Sequence, residues 1–214
     1  MRELTLAELD VLLKEGIAYV WRTPQLLAAM SVAALVNLTA FPFSGGLMPY
    51  IARDVYHLDQ RGLGWLVASF AGGAFIGSVA LSMVGSRIRP ARAMMIACVA
   101  WYLCLLAFAF ASWLPLAMAL LTAAGFAQSL SMVTLAILLL RTSEERFRGR
   151  IMGVRMLAIY TLPIGLLLAG ALIPRIGFRF TTLAMVIGGL LLTLAIAWVW
   201  RDDLVRRDAI GNAR

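Results

Sequence analysis

The stretch from Arg141 to Arg150, RTSEERFRGR, lies between two long apolar runs and carries four arginines and two glutamates in ten residues. Each such ion costs roughly 2.5 to 3.5 kcal/mol at the centre of a bilayer on insertion scales, so the segment must face water. Short loops rich in Lys and Arg stay on the cytoplasmic side. The segment therefore also sets the direction of the apolar runs on either side of it.

Those runs dominate the chain. Of 214 residues, 62% are hydrophobic and 14% charged, with a mean hydropathy of +0.89. That is too apolar for a soluble domain, which has to wrap its core in polar surface. The reading is an all-α polytopic membrane protein. A formal net charge of +8 would suit nucleic acid, but the arginines occupy short segments between apolar runs instead of one soluble face. This argues for a topological task and against a nucleic-acid partner. Cys98 and Cys104, within one apolar run, fall on different sides of a helix and read as packing residues without disulfide or metal spacing. No metal, cofactor or catalytic set is expected.

Thr5 and Glu8 have capping-box spacing, and Leu6, Leu9, Leu13, Ile17 and Val20 recur every three or four residues. They predict an amphipathic cytoplasmic or interfacial helix over residues 1–22. A six-helix transmembrane bundle over 23–200 and a cytoplasmic tail over 201–214 complete the expected domains. The first span, about 26–50, opens on Thr23 as N-cap and Pro24 in the first turn. Asn37, Pro42, Gly45, Gly46 and Pro49 predict that its second half kinks or partly unwinds. Further spans are placed at about 62–84, 93–111, 116–140, 151–173 and 180–200. In the second span Ser69, Gly73 and Gly77 form a small-residue stripe suited to close helix packing, with self-association as the alternative use.

Six spans put both termini on one side. Of the 19 basic residues, 15 then share the side of Arg141 to Arg150, leaving Arg53, Arg61, Arg175 and Arg179 opposite. This asymmetry directs both termini to the cytoplasm. Gly72 and Gly77 ahead of Gly85 are echoed by Gly165 and Gly170 ahead of Gly177, as a three-plus-three inverted repeat would produce.

The segments EGIAYVWRTPQL at 15–26, VNLTAFPFSGGLMPYIARDVYHLDQRGLGWLVASFAGGAFIGS at 36–78 and SEERFRGRIMGVR at 143–155 together resemble permeases of the major facilitator superfamily. Within it they look most like the C-terminal half of bacterial drug and siderophore exporters related to the enterobactin exporter. The resemblance covers about residues 13–205. It implies half of a major facilitator fold in a bacterial inner membrane, exporting a small amphiphilic molecule by alternating access. A full-length member has twelve spans, so the resemblance also implies a second six-helix bundle, either another copy of this chain or a separate half. Two departures from the family pattern stand out. The loop holding Gly85, Arg87, Arg89 and Arg92 lacks the family's acidic residue, and none precedes Arg175 in Pro174-Arg-Ile-Gly177.

In the family the first and fourth helices face the central cavity. Asn37, beside the Pro42 break, and Gln128, mid-span in the fourth helix, are the polar candidates for lining it; alternatively each amide bonds a neighbouring helix. Phe41 and Tyr160 are the aromatic candidates for contact with an apolar substrate, or else packing residues. Arg87 and Arg92, with Glu144, Glu145, Arg148 and Arg150, are candidates for a cytoplasmic latch. Exposed ion pairs contribute about 0 to 1 kcal/mol each, so a latch needs several acting together. His57, near Asp54 and Asp59 but without a second imidazole, reads as a solvated loop residue.

Two other classes compete. An integral membrane enzyme lacks its chemistry here, since no expected span contains Asp, Glu, His or Lys. A non-transporting remnant or interaction subunit is the second. All eleven acidic residues fall outside the expected spans, so no carboxylate is available in this half to titrate within the membrane.

Overall fold

Prolines mark where the helices begin. Pro24, Pro90 and Pro115 lie in first turns, where the missing N–H has no intrahelical partner to lose. The computed structural model describes residues 6–84 and 88–201. Within them the helices are α1 (Leu6–Arg22), α2 (Pro24–Thr39), α3 (Met48–Tyr50), α4 (Gln60–Val84), α5 (Pro90–Phe108), α6 (Leu114–Thr142), α7 (Arg148–Ile159) and α8 (Thr161–Val199). No strand occurs among the described residues. Thr5 of the expected capping box, Gly85 and Arg87 of the second loop, and the tail from 202 onward lie outside them.

After α2 the chain stays helical in wider turns. Pro42 has no N–H to continue the α pattern, and the Leu47 N–H reaches back five residues to the Pro42 carbonyl at 2.8 Å. Pro42–Gly46 is therefore a π-turn, and a second one over Ile51–Val55 closes with the Tyr56 N–H on the Ile51 carbonyl at 3.1 Å. The expected kink thus takes the form of two π-turns flanking α3. At the start of α4 the Asp59 carboxylate accepts the Gly62 N–H at 2.9 Å, an N-cap bond.

The apolar segment from Glu145 to Val199 is 55 residues long. A single straight helix of that length would extend about 80 Å, far beyond the roughly 30 Å hydrocarbon core. It folds back on itself at Gly177, whose φ of 79° and ψ of 161° form a region essentially reserved for glycine. Gly165 lies against the Leu38 carbonyl carbon, with room for a Cβ only 2.9 Å away, and Gly189 packs on Thr39 and Tyr102. Two glycines that flank Gly177 at equal distance thus touch adjacent residues of the first span. The limbs 161–176 and 178–199 are consequently antiparallel neighbours, and the bundle has six spans.

The core is layered along the bundle axis. One layer holds Leu26, Met30, Met94, Leu138 and Ile151. A middle layer holds Val36, Phe43, Trp101, Tyr102, Ala127 and Val186. The third holds Ile51, Leu66, Phe108 and Leu121. Residue numbers rise through the layers in α2 and α5 and fall in α6, as alternating spans require. Ile196 and Trp200 pack on the first layer, so α1 and the end of α8 lie at the same end of the bundle, called the inner end below.

Glycines allow the closest crossings. A Cβ on Gly73 would collide with the Thr122 carbonyl of α6, one on Gly77 would sit 2.7 Å from the Phe126 carbonyl, and one on Gly125 would collide with the Phe70 carbonyl of α4. Gly165 makes the corresponding approach of the fifth span to the first. The second span crosses the fourth as the fifth crosses the first, the pairing that an inverted repeat generates. The echo read from Gly72 and Gly170 falls slightly off this geometry, because both face open space. Ser69 likewise stays with its own helix, its hydroxyl donating to the Trp65 carbonyl at 2.7 Å.

Gly73→Leu should therefore destabilise the bundle by about 1 to 3 kcal/mol through overpacking. Gly72→Leu, one residue away, should change stability by no more than about 0.5 kcal/mol. Thermal unfolding of the two variants in detergent checks the contrast, and equal midpoints would refute the crossing.

Candidate functional site

The middle of the bundle contains a buried polar contact that periodicity does not announce. Thr39 donates its hydroxyl to the Leu35 carbonyl at 2.8 Å, so the Tyr102 hydroxyl, 2.7 Å away, donates to Thr39 Oγ1. Gly189 leaves the space for this pair. Nearby in the chain, the buried Trp101 Nε1 and Thr193 Oγ1 have no partner among the described residues. Tyr102 and Thr39 tie the first and third spans together where the sixth crosses them.

The four cavity candidates occupy different environments. Asn37 is 4% exposed and donates Nδ2 to the Ala33 carbonyl of its own helix at 2.8 Å. Phe41 is half-buried and meets Trp101 edge-on at 4.9 Å. Gln128 is half-buried on α6. Tyr160 is 71% exposed where α7 meets α8. Among the described residues no hydrogen bond or ring contact links the four to one another. What the surface offers instead is an apolar stripe along α6, in which Leu116, Ala119, Ala123, Phe126, Leu130, Val133, Ile137 and Leu140 alternate at intervals of three and four and are exposed or half-buried.

At the inner end, the latch candidates pair chiefly with neighbours in sequence. Glu144 holds Arg146 at 3.0 Å and Glu145 holds Arg148 at 3.5 Å. Arg150 alone of these reaches a different element, pairing with Glu15 of α1. Gly16 sits against Arg150 and Val154, with only 3.2 Å for a Cβ toward either side chain. Tyr19 stacks on Phe147 at 4.4 Å. The result is a clasp between α1 and α7 that includes Glu15, Tyr19 and Phe147, none of which the sequence had marked for it. Arg92 is exposed and has no ion pair among the described residues, and Arg87 lies outside them.

The profile of the Major Facilitator Superfamily matches residues 26–213 of this sequence. The chain belongs to that superfamily. It is half of a major facilitator fold, an all-α multi-pass membrane protein, and the family is one of carriers, not enzymes. It is 27% identical over 192 residues to the multidrug efflux pump Tap of Mycolicibacterium fortuitum, covering 87% of this chain and 46% of that protein. The Tap pump of Mycobacterium tuberculosis strain H37Rv is 27% identical over 172 residues, 80% of this chain and 41% of the relative. The chain thus spans less than half the length of these relatives. No solved structure matches it significantly.

Two further regions of this half are built from residues of several elements. An apolar groove of about 250 Å³ runs between the first and fifth spans and the last turns of α1, with Trp21, Met30, Ala34, Val154 and Leu157 on its walls and Ser31 as its polar side chain. Opposite the inner end, Tyr56 donates its hydroxyl to the Ala111 carbonyl at 2.6 Å, and Arg179 lies 4.2 Å from the ring centroid of Phe110. His57 has a positive φ of 52° in this loop. No group of three or more His, Cys, Asp or Glu suited to a metal occurs among the described residues.

Burial raises the Tyr56 phenol above its ordinary range. Folding therefore favours the neutral hydroxyl. Its contribution is complete below the unfolded phenol pKa of about 10 and is lost as pH rises through the higher folded value. Tyr56→Phe should lower stability at pH 8 by about 0.5 to 1.5 kcal/mol, the worth of one hydrogen bond. It should also flatten the decline of stability at alkaline pH. Unfolding midpoints of both proteins across that range test this, and parallel declines would refute it.

Proposed function

We propose that this chain is one six-helix half of an exporter of small amphiphilic molecules that works by alternating access with a second six-helix bundle. The observation that carries the reading is the superfamily match over 26–213, joined to relatives that are multidrug efflux pumps of about twice this span. The apolar groove between the first and fifth spans supports it, because a mostly apolar wall with one hydroxyl suits an amphiphile better than a sugar or an ion.

The second bundle is a copy of this chain or a separate half. With both termini in the cytoplasm, as the placement of 15 of 19 basic residues favours, a parallel two-fold pair is topologically allowed, its first, second, fourth and fifth spans facing the axis. The exposed stripe of α6 is available for that face. In this arrangement Phe41, Gln128 and Tyr160 contribute to the substrate wall. Asn37, its amide committed to Ala33, stiffens the first span beside the π-turn. The clasp of Glu15 with Arg150 holds the inner end, assisted by the local pairs of Glu144 and Glu145 and by Arg87, Arg92 and Arg148.

Orientation is tested with single cysteines at His57 and Phe147 in a background lacking Cys98 and Cys104. An impermeant thiol reagent added to intact cells should label the first and not the second, and labelling of Phe147 would reverse the topology.

Transport is tested in proteoliposomes with the chain alone and with a candidate second half. No expected span carries a carboxylate, so the chain alone should give downhill flux of an amphiphilic dye that is unchanged by an imposed pH gradient. Gln128→Leu and Tyr160→Ala should each lower that flux more than Asn37→Leu does. Gradient-driven accumulation by the chain alone would defeat the self-paired form of the proposal, and absence of flux in every combination would favour an interaction subunit.

A further inference from the structure

We infer that the inner-end cleft between α1 and the loop joining α6 to α7 binds the phosphate of an anionic lipid headgroup. The proposed orientation enters only in assigning that lipid to the cytoplasmic leaflet.

The cleft, of about 370 Å³, is open and lined by Arg22, Arg146, Arg150, Glu15, Tyr19 and Phe147, among others. Three guanidiniums thus face one carboxylate. Glu15 engages Arg150 and Glu144 engages Arg146, but Arg22, exposed in the last turn of α1, has no ion pair among the described residues. Two of the cations are also fixed in position. Arg146 and Arg150 lie over the same Phe147 ring, with their guanidinium carbons 4.7 and 5.1 Å from its centroid. Their guanidinium carbons are therefore no more than about 10 Å apart, and with Arg22 the cleft carries one more positive charge than Glu15 and Glu144 balance. Phosphate is the matching anion, since its paired oxygens accept the fork of guanidinium donors in a bidentate manner.

A lipid fits the site better than a free phosphate because of what adjoins it. Arg22 is two residues from Pro24, the first turn of the first span, which places the cleft at headgroup level. Other residues of the same helix, Ile17, Val20 and Trp21, line the apolar groove that continues along the first and fifth spans. Helix α1 thus presents Arg22 to one neighbouring space and apolar surface to another, matching the two parts of a lipid. The negative surface potential of an anionic leaflet concentrates such ligands next to basic segments at the membrane edge.

The test is native mass spectrometry of the full chain in mild detergent with phosphatidylglycerol and phosphatidylcholine as probes, and with millimolar inorganic phosphate as competitor. Phosphatidylglycerol should be retained over phosphatidylcholine and should survive the competitor. Arg22→Gln and Arg146→Gln should each weaken its binding about fivefold, and neither breaks the link between α1 and α7. Equal retention by the parent and the Arg22→Gln/Arg146→Gln double variant would overturn the site. Displacement by inorganic phosphate would overturn the lipid as its ligand. Binding in detergent does not depend on orientation, so labelling of Phe147 from outside would reverse the topology and leave the site intact. Absent lipid binding would remove the site and leave the transport proposal standing.

Discussion

Backbone-to-backbone approach at glycines is the contact on which this bundle depends. In a bilayer the lipid tails are as apolar as the helix surfaces, so burial of apolar area gives helices little reason to associate, and close packing has to supply the attraction. Gly73 and Gly125 let the second and fourth spans meet at carbonyl level, and Gly165 does the same for the fifth and first. Once those pairs are set, the third and sixth spans fill the remaining sides. The hydroxyl pair of Tyr102 and Thr39, accommodated by Gly189, fixes their rotation.

The inner end is organised by a different force. Here charged side chains stand in water, where a single exposed pair contributes little, and the clasp between α1 and α7 combines several modest contacts. Glu15 with Arg150, Tyr19 on Phe147 and Gly16 against Val154 converge on two turns of each helix. Sequence-local pairs within the loop keep Arg146 and Arg148 from competing for Glu15. The helix that precedes the first span is thereby coupled to the beginning of the fifth, two elements that flank the same groove.

Much of the architecture was legible from residues alone. The arginine-rich loop, the prolines at helix starts and the glycine at 177 mark boundaries through local chemistry, and the spans fall within a few residues of where hydropathy puts them. The break after Thr39 was legible for the same reason, since a proline without a donor must widen or end a helix wherever it stands. What remained hidden depends on partners distant in sequence. Gly72 and Gly73 look alike in the sequence, and only the rotation of α4 against α6 decides which one meets a carbonyl. Glu15 and Arg150 are 135 residues apart, and no local pattern couples them. Asn37 was an ambiguous candidate because hydropathy does not report which way one side chain of an apolar helix turns.

Many of the hydroxyls and the Asn37 amide within the spans are satisfied by the helix that carries them. Asn37 and Thr39 bond carbonyls four residues back, as do Thr122, Thr134, Thr181 and Thr182, while Ser78 and Ser82 bond those three residues back. The consequence concerns the order of assembly. Thr161 bonds the Ala34 carbonyl across 127 residues, and at synthesis rates of about 5 to 20 residues per second the first span waits roughly 6 to 25 seconds for the fifth to emerge. Until the third span brings Tyr102 to Thr39, its polar side chains are surrounded by hydrocarbon with no neighbouring span to bond. Because Asn37 and Thr39 already have partners within their own turns, the first span can leave the translocation machinery singly and wait in lipid with those donors satisfied.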